Sequence, residues 1–171
     1  AVTALLIAIT LIDLDHQLIL NKMIVPVIVI LLILSPFWEY VGFDRTFFRF
    51  DGPLGSFANS VTAGAVYSLV LLSVLLFYLF VRSVEGMGLG DVKLAVLLGL
   101  LFGFPLVIVV FWVAVVSGGV VAIFLWLSGR VDRMGQIPYG PYMAAGAYIT
   151  ILAGEEIWTW YSEFALGFGG A

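Results

Sequence analysis

The chain contains no cysteine and a single histidine, His16. Without cysteine there is no disulfide framework, no thiol nucleophile and no cysteine-ligated zinc, and one histidine is too few for a multi-histidine metal site. Charge is also scarce. Asp, Glu, Lys and Arg make up 11% of the 171 residues, where a soluble domain carries about 25%. The formal net charge is −4, so the basic footprint of a nucleic-acid-binding protein is missing. The first ten residues, AVTALLIAIT, have neither Met nor a basic flank. They do not read as a signal peptide but as a helix whose beginning lies upstream. No internal repeat or low-complexity segment is visible.

What the chain has in abundance is apolar residues: 63% hydrophobic, with a mean hydropathy of +1.19. That composition predicts an integral membrane protein. Six apolar segments follow one another, at about 1–12, 23–37, 57–81, 91–102, 106–127 and 142–160. The expected fold is therefore all-α, a polytopic helical membrane bundle of about six transmembrane helices forming one domain over residues 1–171. Pro26 is expected in the first turn of the second segment, where proline is tolerated. Gly103 and Pro105 argue for a break between the fourth and fifth segments. The fourth is then too short to cross a bilayer, which takes about 20 residues, and is expected to pack inside the bundle.

The few charges set an orientation. If the helices alternate, Lys22, Arg82, Lys93, Arg130 and Arg133 share one side, while Arg45 and Arg49 lie opposite among Glu39, Asp44 and Asp51. The positive-inside rule puts the first side in the cytoplasm. Small residues mark expected close helix contacts: Ala63-Gly64-Ala65, Gly99 with Gly103, and Gly118-Gly119 with Ala122. Trp38, Tyr40, Trp158, Trp160 and Tyr161 fall near predicted span ends, like an interfacial aromatic belt.

Two acidic stretches share the predicted cytoplasmic side. IDLDHQ carries Asp13 and Asp15 at the end of the first segment, and GMGLGDVKL places Asp91 at the start of the fourth. Ionisable groups at membrane depth are costly and point to function. Two carboxylates meeting where water is scarce share one proton, and one of them then acts as a base, which suits the activation of water against a peptide bond. Each residue also has a plainer reading. Asp15 serves as a solvated flank, Asp91 as a helix cap, Lys93 as a snorkelling cation, and His16 as an interfacial hydrogen-bonding residue. Gly86, Gly88 and Gly90 permit irregular backbone and leave no side chain beside Asp91, so an extended peptide has room to approach.

Taken together, IDLDHQLI, EGMGLGDVKLAVLLG and PYGPYMAAG resemble the type IV prepilin peptidases, the bacterial branch of the intramembrane GxGD aspartyl proteases. The resemblance runs from about Leu11 to Gly146. It implies that Asp13 and Asp91 are the catalytic pair. Asp15, Gly88, Gly90, Lys93 and the element Pro138, Gly140 and Pro141 would support them or bind substrate. It further implies a multi-pass protein of the bacterial inner membrane with its active site facing the cytoplasm. The substrates would be prepilins and type II secretion pseudopilins, cut after a glycine that follows a short basic leader. No cofactor is implied for proteolysis and no metal. S-adenosylmethionine would enter if the new amino terminus is also methylated, as in many members. This chain departs from the family in three places. Leu18-Ile19-Leu20-Asn21 replaces the usual Leu-Leu-Pro-Asp. The stretch between the two acidic motifs is longer, with the extra residues expected around Ser35 to Ser56. The four zinc-binding cysteines that many members carry in an amino-terminal insertion are not among these residues, either because that region lies upstream of Ala1 or because the protein lacks it. A second reading from another class is a proton-coupled small membrane transporter using the same acids. Such a carrier would place them in mid-span and show internal symmetry.

Overall fold

The computed structural model describes residues 21–37, 52–82, 88–128 and 139–166, which form helices with short turns at their ends and no strand among them. Five α-helices follow in order: α1 Asn21–Leu34, α2 Pro53–Arg82, α3 Leu89–Phe102, α4 Leu106–Leu127 and α5 Gly140–Leu166. The expected first segment, 1–12, lies outside the described residues.

Helix boundaries follow local chemistry. α1 starts at Asn21 and not at residue 23, so Pro26 falls in the second turn rather than the first as expected. Past Leu34 the chain tightens into a 3-10 turn through residues 35–37. There the Ser35 hydroxyl donates to the Leu32 carbonyl at 2.9 Å. α2 begins four residues before the expected position. Gly52 adopts φ +98, open to glycine without strain, and its carbonyl accepts the Gly55 and Ser56 amides at 3.0 and 3.2 Å. Pro53 takes the first helical position, where its missing N–H costs nothing. At 30 residues, α2 is about 45 Å long.

The break between α3 and α4 is where Gly103 and Pro105 place it. Gly103 caps α3 at φ 63 and donates its N–H to the Gly99 carbonyl at 2.8 Å. α3 has only 14 residues, about 21 Å, against a hydrocarbon thickness of about 30 Å. It sits inside the bundle as expected: Leu94, Ala95, Leu97, Leu98, Leu100, Leu101 and Phe102 are all buried. α2 covers most of it, with α1, α4 and α5 contributing the remainder.

α5 is longer than expected and is interrupted at Ala153 (φ −143, ψ 19). The Thr150 hydroxyl donates back to the Gly146 carbonyl at 2.8 Å just before the interruption, a bond that bends helices, and Gly154 follows it. Beyond the kink come the exposed Glu155 and Glu156 and an aromatic cluster. Trp158 and Tyr161 pack at 5.9 Å between ring centroids, and Trp160 stacks on Phe164 at 5.6 Å.

Among the described residues two helices are long and apolar enough to cross a membrane, over Pro53–Phe80 and Leu106–Leu127. Only 28% and 22% of their most apolar windows are buried within the protein. Their outward faces, including Phe77, Phe80, Val116 and Phe124, are exposed. Water would penalise that apolar surface at about 25 cal/mol per Å², whereas lipid accepts it.

Backbones touch at two places. At Gly99 an added methyl would overlap the Gly64 Cα and sit 2.5 Å from the Gly64 amide nitrogen. At Gly146 it would lie 2.7 Å from the Val110 carbonyl oxygen of α4. Gly64 and Gly99, both expected at close helix contacts, meet each other, whereas Gly103, expected beside Gly99 in such a contact, serves as the cap of α3. The expected contact at Gly119 is corrected as well, since none of the described residues lies within 4 Å of a methyl there. A polar clamp fixes the α3–α4 turn. Asn59 of α2, fully buried, donates to the Phe104 carbonyl at 2.9 Å and accepts the Phe104 amide at 3.0 Å.

These contacts set opposite expectations for two similar substitutions. Gly99→Ala forces α2 and α3 apart and is expected to cost about 1–3 kcal/mol, as overpacking does. Gly119→Ala meets open space and is expected to be neutral or to stabilise by roughly 0.5–1 kcal/mol through lower backbone entropy. Thermal unfolding of both variants in one detergent checks the pair, and equal midpoints would contradict the packing described.

Candidate active site

Among the described residues Asp91 is the one buried acid, at 5% exposure. It stands in the first turn of α3, where exposed backbone amides and the helix dipole favour an anion. Its own N–H donates to the Gly88 carbonyl at 3.1 Å. Leu94 and Ala95, one turn on, are fully buried, so the carboxylate is set into an apolar wall. Charged side chains are rarely buried in this way unless a partner or a function keeps them there. Lys93, two residues later, is half-buried.

Gly88 precedes α3 with φ −80 and ψ 146, extended backbone that any residue adopts. The glycine is therefore not needed there for its conformational freedom, contrary to the sequence-based expectation. Among the described residues, a methyl at Gly88 would meet only the Gly90 amide, at 3.7 Å. What glycine gives at this exposed position is open space beside the acid. Gly90 is the second residue of α3 and half-buried.

The element carrying Gly140 and Pro141 opens α5, with Gly140 buried and Pro141 half-buried. Immediately before it, the Tyr139 carbonyl accepts the amides of Tyr142 and Met143 at 3.1 and 3.2 Å. Its ring lies over Gly118 of α4, where a methyl would come within 3.6 Å of it. The Tyr139 phenol faces the bundle interior, and burial, followed by the Asp91 charge, pushes it up to about 12. The start of α5 and the start of α3 are thus within electrostatic reach of each other. Tyr67 of α2 joins them. It is 3% exposed, its ring packs edge-on against Phe111 of α4 at 5.8 Å, and its hydroxyl interacts electrostatically with both Tyr139 and Asp91.

Two of the polar groups around Asp91 were not singled out by sequence reasoning. Tyr139 lies inside a quoted motif whose prolines and glycine drew the attention. Tyr67 offered a different signal: a phenol in the middle of an otherwise apolar span needs a polar destination. Asp13, Asp15, His16, Gly86 and Pro138 lie outside the described residues. Among the described residues no three His, Asp or Glu side chains stand together as metal ligands do.

The profile of the type IV leader peptidase family matches residues 1–123. Curated relatives include three proteins named prepilin leader peptidase/N-methyltransferase. That of Stutzerimonas stutzeri is 29% identical over 160 residues, 94% of this chain and 50% of the relative. That of Pseudomonas aeruginosa is 30% identical over 161 residues, again 94% and 50%. That of Pseudomonas putida is 34% identical over 154 residues, 90% and 48%. The chain therefore spans about half the length of these relatives. No solved structure matches.

The Tyr139 environment predicts a pH effect. Its phenol has an ordinary pKa of 10.0 and is raised to about 12 in the fold. Between those values the unfolded chain gives up the proton while the folded chain keeps it. Stability is therefore intact below pH ~10 and falls as pH climbs toward ~12. Tyr139→Phe removes this contribution, so its loss of stability over that window is expected to be shallower than in the wild type. Denaturation midpoints at several alkaline pH values check this, and an unchanged slope would mean that Tyr139 is not held protonated.

Proposed function

Because the chain belongs to the type IV leader peptidase family, we propose that it is an intramembrane aspartyl endopeptidase that removes the basic leader from type IV prepilins and type II secretion pseudopilins. The observation that carries the reading is the buried Asp91 at the head of a short internal helix, directly behind the Gly88–Gly90 approach. Asp13 supplies the second carboxylate. One carboxylate takes a proton from water, whose oxygen attacks the peptide carbonyl, and the other donates its proton to the carbonyl oxygen. Asp91, at a helix N-terminus with Lys93 close by in sequence, is the base of the pair. Asp13, which follows the first apolar run in sequence and stands two residues from Asp15, holds the shared proton. The titration belongs to the two acids jointly.

The protein acts as a multi-pass bundle of about six transmembrane helices in the bacterial inner membrane. Its site opens to the cytoplasm, where the leader's basic residues lie. Lys22, Arg82, Lys93, Arg130 and Arg133 mark that face by the positive-inside rule. Gly88 and Gly90 leave room for the extended leader, and Pro138, Gly140 and Pro141 support the acid pair or contact the substrate. The transporter reading is weaker, because Asp91 sits at a helix end rather than in mid-span.

Methylation is not part of the proposal. Apart from the group at Asp91, the buried polar residues described are Ser35, Ser56, Asn59, Ser60 and Thr150. Asn59 is held by Phe104 and Thr150 by Gly146. These described buried residues include neither an acid for a ribose diol nor a cation for a carboxylate, so by themselves they do not form an S-adenosylmethionine site, and no step is derived through that cofactor.

Asp13→Asn and Asp91→Asn are each expected to abolish leader cleavage, by at least about 10³-fold, while the purified variants keep wild-type helicity. The activity is read as a small shift of a purified prepilin on a gel. Asp15→Asn is expected to lower the rate mildly. Near wild-type turnover in either of the first two variants would remove the proposed pair, and complete loss in the third would move the role from Asp13 to Asp15.

A further inference from the structure

Three buried side-chain oxygens or nitrogens have no hydrogen-bond partner among the described residues: the hydroxyls of Ser60, Tyr67 and Tyr139. A buried donor left without an acceptor costs about 1–3 kcal/mol. A serine on a helix escapes this by rotating toward the carbonyl one turn back. A phenol cannot, because its hydroxyl stands at the end of a rigid ring, out of reach of its own backbone. Tyr67 and Tyr139 therefore need an acceptor from elsewhere.

Their placement narrows what that acceptor is. The two residues come from different helical elements, α2 and the lead into α5, and both pack on the same apolar cluster that encloses α3. Each ring is held by α4, Tyr67 against Phe111 and Tyr139 over Gly118. Neither hydroxyl can swing away without disturbing a packed ring. Both are within electrostatic reach of Asp91. With its phenol pushed up to about 12, Tyr139 stays an O–H donor at any working pH. The arrangement is a pair of fixed neutral donors beside a buried acid.

We propose that the Tyr67 and Tyr139 hydroxyls form a donor pair that receives a backbone carbonyl of the substrate next to Asp91. A peptide carbonyl oxygen has two lone pairs and accepts two O–H donors. An extended peptide, unlike a helix, brings carbonyls that are not already used. The pair thus selects for an unwound segment over the helical apolar segment that follows it in a prepilin, and it orients that segment against the acid. This inference rests on the peptidase reading and assigns two substrate-binding residues to it.

The test uses the full protein in detergent and a synthetic peptide with a basic leader, a glycine and the start of an apolar segment. A second peptide carries a thioamide, a weaker acceptor, at the carbonyl of the residue before that glycine, so the scissile carbonyl that takes the carboxylic acid's proton is unchanged. Tyr67→Phe and Tyr139→Phe keep the rings and remove only the hydroxyls. Both are expected to retain the wild-type unfolding temperature or exceed it, while kcat/KM falls about tenfold in each, the worth of one neutral hydrogen bond. The thioamide penalty seen with the wild type is expected to shrink in both variants, because the donors it weakens are gone. A purely structural role would leave that penalty unchanged. The proposal is overturned if both variants keep kcat/KM within twofold of wild type, if activity and unfolding temperature fall together, or if the thioamide penalty is the same in all three proteins. Asp91→Asn separates the two levels of the argument. Wild-type cleavage that is lost in Asp91→Asn but untouched in the tyrosine variants removes only the donor pair. A folded wild type that cleaves no prepilin removes the peptidase reading and the donor pair with it.

Discussion

The contact between Gly64 and Gly99 is the constraint on which the rest of the described structure depends. Lipid offers apolar helices no hydrophobic reason to associate, so close backbone packing must hold them together. With no side chain on either residue, α2 and α3 meet backbone to backbone. α3 is thereby drawn into the interior, where its short length carries no penalty of hydrophobic mismatch. Asp91, two turns back from Gly99, is carried to its depth by the same contact. A larger residue at either glycine would move the acid as well as the helix. The Gly146 crossing does the corresponding work between α4 and α5 and sets where Tyr139 enters.

Polar groups inside this apolar protein fall into two kinds. Asn59 is fully used: its amide gives one bond and takes one at the Phe104 peptide, and it ties α2 to the turn between α3 and α4. Ser35, Thr62, Ser117 and Thr150 likewise spend their hydroxyls on carbonyls of their own helices. Tyr67 and Tyr139 differ from all of these, since their hydroxyls find no acceptor among the described residues. In a medium of low dielectric such donors are costly to stability. Their concentration around one buried acid is what a site built for a ligand looks like, rather than one built for packing.

Much of the helix pattern was legible because apolar run length and glycine–proline punctuation are local signals. α4 occupies the expected residues, and the break at Gly103 and Pro105 and the internal position of α3 were both readable. The start of α2 was not. Gly52-Pro53-Leu54-Gly55 reads as a loop by composition, yet a positive-φ glycine before a first-turn proline starts a helix. The interruption at Ala153 was hidden too, because it depends on where the Thr150 hydroxyl points. Within the candidate site, Asp91 announced itself as an acid at the edge of an apolar run. The tyrosines did not, since a phenol's role depends on what lies across the bundle. The small-residue contacts were half legible: Gly64 and Gly99 were flagged, but which glycine faces which is a tertiary fact.

The central claim is that Asp13 and Asp91, far apart in sequence, meet at one site. These 171 residues contain no cysteine, so a pair introduced at these positions would supply the only thiols within them. The direct measurement is cross-linking of an Asp13→Cys, Asp91→Cys double variant in membranes by a short thiol-specific bifunctional reagent, with Asp13→Cys, Glu155→Cys as the comparison. The account predicts efficient intramolecular cross-linking of the first pair and none of the second. A first pair that reacts no better than the second would contradict it.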